Sequence, residues 1–264
     1  LDVFAVHGYS NGVDPAPNAD GPQVWTKLGG FCKGQGKPLW MTETSGYGTD
    51  WNGAMKLANA MAIAMYYGSA SGWTHWTWQS DNIMSSSGGK GGPQYATYKH
   101  FARWIRPGAV RMESTIDNDN MIALVFNHKA KHTFSAVVVN SNSGSQSVVL
   151  QGPGLPSTFQ AFQSTGSNAT ARSVGTVNAS GFTVPGNSIT SLYAEGYAES
   201  GAVVVTGPRA ARPPVSSSVA GSAFYTICGR RLKTSRVRQT KQAFVAVAGD
   251  ASGTLRRSVQ VPLR

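Results

Sequence analysis

Acidic side chains are scarce in this chain of 264 residues: 12 Asp and Glu stand against 23 Lys and Arg, a formal net charge of +11. The imbalance is local. Residues 1–200 carry 12 basic and 11 acidic side chains, whereas residues 201–264 carry 11 basic ones and a single acid, Asp250. A nucleic-acid reading drawn from net charge therefore concerns the C-terminal stretch alone, and the charge says nothing about the body of the chain. Cysteine is almost absent too. Cys32 and Cys228 lie far apart in segments of different character, which excludes a disulfide framework and a cysteine metal site. Cys32 reads as a small apolar packing residue. No apolar run approaches the ~20 residues of a membrane-spanning helix. No signal peptide opens the chain, and its first residue is Leu1 rather than Met, so an exported precursor whose start is missing is one expectation.

What is present is an alternation of two periods. Residues 1–9 are an apolar run ending in His7-Gly8-Tyr9, followed by a loop rich in Gly, Asn, Asp and Pro. Pro22 opens a short amphipathic helix with Val24, Trp25, Leu28 and Phe31 at helical spacing. After the turn Gly34-Gln35-Gly36-Lys37-Pro38, the run Leu39-Trp40-Met41-Thr42-Glu43 reads as a buried strand that ends on a carboxylate. A helix follows over 52–67, with Met55, Ala58, Met61, Ala62 and Met65 on one face and Gly68 closing it. GWTHWTWQ, residues 72–79, reads as a third strand, with Trp76 and Trp78 on one face and Trp73, His75 and Thr77 on the other. Pro93 opens a last helix with Tyr95, Tyr98, Phe101, Ala102 and Ile105, stopped by Pro107-Gly108. Strand and helix in strict alternation predict a parallel sheet with right-handed crossovers.

From about residue 110 the pattern changes. Short runs at 121–127, 132–140, 146–150, 158–163, 173–177 and 188–194 alternate with turns such as Gly152-Pro153-Gly154, which predicts an antiparallel β-sandwich. His128 and His132 read as strand-edge residues, and nothing in this segment suggests catalysis. Asn168-Ala169-Thr170 and Asn178-Ala179-Ser180 match the glycosylation sequon. Residues 197–264 read as a basic Pro/Arg-rich tail of unassigned role, with strands expected at 224–228 and 243–248 and basic clusters such as Arg230-Arg231-Leu232-Lys233. The expected division is thus 1–109, 110–196 and 197–264.

The chemistry is expected at one edge of the parallel sheet. Three parallel strands bring His7 and Tyr9, then Glu43, then Trp76 and Trp78 to their C-terminal ends, where an α/β barrel places its active site. A carboxylate framed by Tyr, His and indole suits sugar chemistry. Indole stacks on the C–H face of a pyranose, polar groups fix its hydroxyls, and a Tyr hydroxyl donating to the glutamate keeps it ionised.

At these residues the chain resembles a known family. AVHGY, LWMTETSG and GWTHWTWQ look like the sixth, seventh and eighth barrel strands of clan A glycoside hydrolases. The resemblance is to glycoside hydrolase family 30, whose members include glucosylceramidases, xylanases and endo-β-1,6-galactanases. YKHFARWIRPGAVRME looks like that family's last barrel helix running into its side β-sandwich, and GFTVPGNSITSLYA looks like the final sandwich strands. The resemblance implies the C-terminal strands and helices of a (β/α)8 TIM barrel followed by an antiparallel β-sandwich, over roughly residues 1–195. It implies that Glu43 is the nucleophile of a retaining mechanism, that His7 and Tyr9 match a His-x-Tyr pair beside it, and that Trp76 walls the subsite of the sugar to be cleaved. Trp78 is a plausible neighbour. No metal or organic cofactor is implied, the partner is a carbohydrate substrate, and the compartment is extracellular.

One departure is large. A retaining glycosidase needs a second carboxyl group ~5–5.5 Å from the first, which in this family follows an Asn at the end of the fourth strand. No Asn-Glu pair occurs here, and Glu113, Glu195 and Glu199 lie outside the barrel-like region. Asp81 follows the third strand but matches no acid/base position. The N-terminal half of the barrel is missing from this reading, so the chain by itself is expected to be inactive or nearly so, poorly soluble, or paired with a partner. Two other readings are a carbohydrate-binding protein built on the sandwich and an interaction role for the basic tail.

Overall fold

The structure, a computed structural model, describes residues 2–9, 14–16, 19–79, 81, 83–84, 89, 91–197 and 203–206, and the backbone alone of residues 223–225, 231–232, 244–249 and 255–260. It comprises two units, Leu1–Ala210 and Ala211–Arg264.

In the first unit, β1 (Phe4–His7), α1 (Asp20–Gly34), β2 (Leu39–Glu43), α2 (Trp51–Gly68), β3 (Gly72–Trp73) and α3 (Pro93–Ala102) follow in turn. The three strands pair in parallel in the order β1-β2-β3. Pro93 stands at the start of α3, where a missing N–H costs nothing. At the start of α2 the Asp50 side chain accepts the Gly53 N–H at 2.8 Å, satisfying one of the free donors of the first turn. Ser69, in the left-handed conformation, ends that helix. Gly29 of α1 lies against the backbone of Gly68, where a Cβ would come within 2.4 Å of the Gly68 carbonyl oxygen, so the two helices cross at backbone contact.

The alternation in β2 divides the sheet. Leu39 and Met41 are buried with Trp25, Cys32, Met55, Met61 and Ile63 of the helices. The strand register puts Ala5, Trp40 and Gly72 side by side on the other face, where Trp40 is 45% exposed. A Cβ on Gly72 would lie 2.7 Å from the Trp40 ring, so the indole rests on a position open only to glycine.

Ten further strands follow α3: β4 (Val110–Met112), β5 (Ser114–Ile116), β6 (Met121–His128), β7 (Thr133–Asn140), β8 (Gln146–Gln151), β9 (Thr158–Thr165), β10 (Asn168–Asn178), β11 (Phe182–Val184), β12 (Ser188–Glu195) and β13 (Val203–Thr206). They form a six-stranded antiparallel sheet, β10-β9-β12-β7-β6-β4, and a four-stranded sheet, β11-β8-β13-β5, in which only β13 and β5 run parallel. One face of the larger sheet supplies Ile122, Leu124, Val137, Val139 and Ile189 to the core around α2. Its other face supplies Ala123, Val125, Phe134 and Val138 to a second core, shared with Val148, Leu150, Phe182, Val184, Val203 and Val205 of the smaller sheet. Covered on both faces, β6 is buried at every residue, which explains the apolar run Met121–Phe126.

The expected strands at 121–127, 132–140, 146–150, 158–163 and 188–194 match β6, β7, β8, β9 and β12 to within two residues at either end. The expected strand at 173–177 is the end of the much longer β10, whose register against β9 shifts twice. The third parallel strand needs correction. Only Gly72–Trp73 is strand, and the alternation expected through residue 79 does not occur: His75 is buried while Trp76, Thr77 and Trp78 are all exposed. Thr74 N–H still reaches the Met41 carbonyl at 2.8 Å, but His75 then turns inward to Asp81 at 2.9 Å, ending the extended course. Val203–Thr206, within the stretch expected as tail, pairs with β8 and β5.

The second unit contains β14 (Ala223–Tyr225), β15 (Arg231–Leu232), β16 (Phe244–Gly249) and β17 (Leu255–Gln260), antiparallel in the order β15-β14-β16-β17. Cys228, Arg230, Lys233 and Glu199 lie outside the described residues, as do the side chains of Arg231 and Leu232. Among the described residues no helix is long and apolar enough to cross a membrane.

Candidate active site

Glu43 is the last residue of β2, and its surroundings follow from how β1 ends beside it. The pairing runs Phe4 to Leu39, Ala5 to Trp40 and Val6 to Met41, then slips by one so that His7 faces Glu43. The Gly8 N–H donates to the Glu43 carbonyl at 2.9 Å, which carries Tyr9 past the strand end and back over the carboxylate. The Tyr9 hydroxyl donates to Oε1 of Glu43. His7 Nε2 lies 3.6 Å from Oε2. The Tyr9–Glu43 hydrogen bond, with some desolvation and the charge of Glu43, pushes the Tyr9 phenol up to about 12, so it remains a donor at any ordinary pH.

The structure thus brings together His7, Tyr9 and Glu43. Trp76 is linked to the same edge through its backbone: its N–H donates to the carbonyl of Thr44 at 2.8 Å, and its side chain is 59% exposed. Trp78 is directed elsewhere. Its ring packs on Tyr98 with centroids 5.0 Å apart, and none of its described contacts reaches Glu43. The contacts of the described residues bring no second carboxylate to Glu43. Asp81 is only 4% exposed, held between His75 and the backbone of Tyr47. No group of three or more His, Cys, Asp or Glu that could hold a metal stands among the described residues.

A layer behind the carboxylate escaped the sequence reading. Thr44 Oγ1 donates to the Gly8 carbonyl and lies 2.8 Å from the Tyr47 hydroxyl. The Tyr47 N–H donates to Oδ2 of Asp81 at 3.1 Å, and His75 Nε2 approaches the same oxygen at 2.9 Å. Trp73 Nε1 donates to the Tyr98 hydroxyl at 3.1 Å, and the His75 and Tyr98 rings meet edge to face at 6.0 Å. Burial pulls the His75 imidazole below its ordinary range, against the opposing pull of Asp81, and raises the Tyr47 and Tyr98 phenols. Thr44 and Tyr47 directly follow Glu43, but no spacing marks His75 and Asp81 as their partners.

No family model matches the chain. Glucuronoxylanase XynC of Bacillus subtilis is 28% identical over 159 residues, covering 57% of this chain and 35% of that protein. Among solved structures, a family 30 endoxylanase from Clostridium papyrosolvens superposes with a TM-score of 0.60 at 22% identity, covering 74% of this chain and 49% of that one. A family 30 subfamily 8 xylanase from Clostridium acetobutylicum gives a TM-score of 0.58 at 15% identity, again over 74% of this chain and 49% of the other. The chain spans about a third of the length of the curated relative and about half of each solved structure. In sequence and in fold, the chain is similar to the glycoside hydrolases of family 30.

Proposed function

We propose that the chain is the C-terminal half of a retaining, xylanase-like β-glycoside hydrolase, in which Glu43 is the nucleophile. On this reading, residues 1–109 are the last three strand–helix units of a (β/α)8 barrel and residues 110–196 its side β-sandwich. The observation that carries the proposal is the grip of the Tyr9 hydroxyl on Glu43 at the end of β2. The hydrogen bond from the phenol takes up Oε1 and orients the carboxylate, leaving Oε2 to attack. Glu43 attacks the anomeric carbon as the bond to the leaving oxygen breaks, giving a glycosyl ester that water then hydrolyses with net retention. His7 steadies the second carboxylate oxygen, Trp76 supplies the stacking face for the sugar, and Trp78 supports that segment through Tyr98.

The leaving oxygen needs a proton, and the donor is a carboxylic acid supplied by a barrel half outside this chain. General-acid assistance is worth roughly 10²–10⁴-fold, so xylan or galactan is turned over very slowly, if at all, by this chain alone. An activated fluoro-xylobioside with a dinitrophenolate leaving group removes that requirement, because the phenolate departs unprotonated. Intact-mass analysis then reads one added glycosyl group, peptide mapping places it on Glu43, and Glu43→Gln abolishes it. A chain that turns over unactivated xylan by itself, or takes no label on Glu43, overturns the reading.

The parent enzyme would act outside the cell, as the resemblance implies. The carbohydrate-binding alternative has less support. Trp104, the large aromatic beside the six-stranded sheet, is stacked on Phe162 at 4.4 Å and covered by the Arg103 guanidinium at 4.6 Å, which leaves little ring face for a sugar.

A further inference from the structure

We infer that Asp81 is a positioning residue: with His75 it clasps the turn after β2 to the segment after β3, and so fixes Glu43 and Trp76 relative to each other. The inference rests on the reading of Glu43 as nucleophile and Trp76 as sugar platform. It is carried by a contact path through segments that lack regular structure. On one side, the carboxylate of Asp81 accepts the Tyr47 N–H at 3.1 Å, and the Tyr47 hydroxyl meets Thr44, the residue after Glu43, at 2.8 Å. On the other side, the same carboxylate oxygen lies 2.9 Å from His75 Nε2, one residue before Trp76. The Trp76 N–H closes the circuit on the Thr44 carbonyl at 2.8 Å.

Burying a carboxylate is costly unless its lone pairs are engaged, and an apolar side chain would fill the same space without that cost. The carboxylate is therefore better explained by the two polar groups it gathers, the Tyr47 N–H and the His75 ring, than by packing. His75 brings Nε2 to within 2.9 Å of the acid. Both ring nitrogens are buried and neither makes a straight hydrogen bond among the described residues, so His75 is held to the acid by this close approach. Asp81, enclosed in this way, is no substitute for the absent acid/base group. It acts through Thr44, Tyr47 and His75.

Hydrogen exchange of the full 264-residue chain tests the clasp without reference to catalysis. In Asp81→Ala, the amides of Tyr47 and Trp76 should exchange roughly tenfold faster, while those in the middle of α2 stay at wild-type rates. Asp81→Asn keeps an acceptor oxygen at the same place and should restore both. His75→Ala, a second variant that leaves the carboxylate, should free Trp76 but not Tyr47. Labelling of Glu43 by the activated fluoro-xylobioside is the second readout: its maximal rate should fall roughly tenfold in Asp81→Ala, with half-saturation far less affected, and recover in Asp81→Asn. Unchanged exchange at Tyr47 and Trp76 overturns the clasp, and altered exchange with an unaltered labelling rate overturns its positioning role. A wild-type chain that takes no label defeats the glycosidase reading instead, and exchange alone then decides whether the clasp exists.

Discussion

Nδ1 of His100 and Oγ of Ser191 meet at 2.6 Å, tying α3 to β12. Nε2 of the same ring reaches Ser164 of β9 at 2.9 Å, so one imidazole bridges a helix and two strands. Burial, with Lys99 adding to it, pulls this imidazole down to about 3. Above its unfolded value, near 6.5, neither state binds a proton there. Between 6.5 and about 3 the unfolded chain takes up a proton that the folded one refuses, and stability declines by about 1.4 kcal/mol per pH unit from this group. Melting curves of wild type and His100→Gln over that range should converge as pH falls, with the variant less stable at neutral pH. Curves that stay parallel would refute the assignment.

Tyr9→Phe removes the donor from Glu43 and leaves the ring. A hydrogen bond to a charged group is stronger than one between neutral groups, though solvent weakens it at this exposed site. The rate of Glu43 labelling should therefore drop about tenfold. Because the phenol is pushed up to about 12, that rate in wild type should show no loss attributable to Tyr9 between neutrality and pH 10. An alkaline decline present in wild type and absent from Tyr9→Phe would contradict this.

Gly29 and Gly30 are neighbours on α1 with opposite expectations. A methyl at 29 collides with the Gly68 backbone, and one at 30 meets nothing within 4 Å. Gly29→Ala should destabilise by about 1–3 kcal/mol or more, since two backbones must separate. Gly30→Ala should stabilise by roughly 0.5–1 kcal/mol through helix propensity. Urea midpoints measured side by side decide both.

Trp76 and Trp78 should separate in the same manner. Trp76→Ala should weaken binding of a xylo-oligosaccharide with little change in melting temperature. Trp78→Ala removes the packing on Tyr98 and should cost about 1–3 kcal/mol of stability. Calorimetry of binding and of unfolding on the two variants provides the comparison, and equal stability losses would count against it.

The legible parts of this chain are those where one period dominates. The apolar helix 52–67, the strand ending at Glu43 and the short antiparallel strands could all be read because side-chain spacing alone determines which face is buried. His7, Tyr9 and Glu43 could be brought together because two adjacent parallel strands place their last residues side by side. The segment after Trp73 could not. Its Trp and Thr content favours a strand, yet its course is set by His75 turning to Asp81 six residues on and by Trp76 bonding to Thr44 of the neighbouring strand's end, contacts that no side-chain period encodes. β13 was missed for a related reason: a run of valines at 203–205 reads as nothing in particular until β5 and β8 offer it a place.

The indole of Trp40, lying on Gly72 over the open face of the parallel sheet, has an optical consequence. Trp25, buried in the core where α1 meets Gly68 of α2, keeps the same surroundings whatever touches that face, whereas the emission of Trp40 shifts to shorter wavelength once another polypeptide layer shields it from water. The sheet thus reports its own covering through a fluorophore already present in the chain.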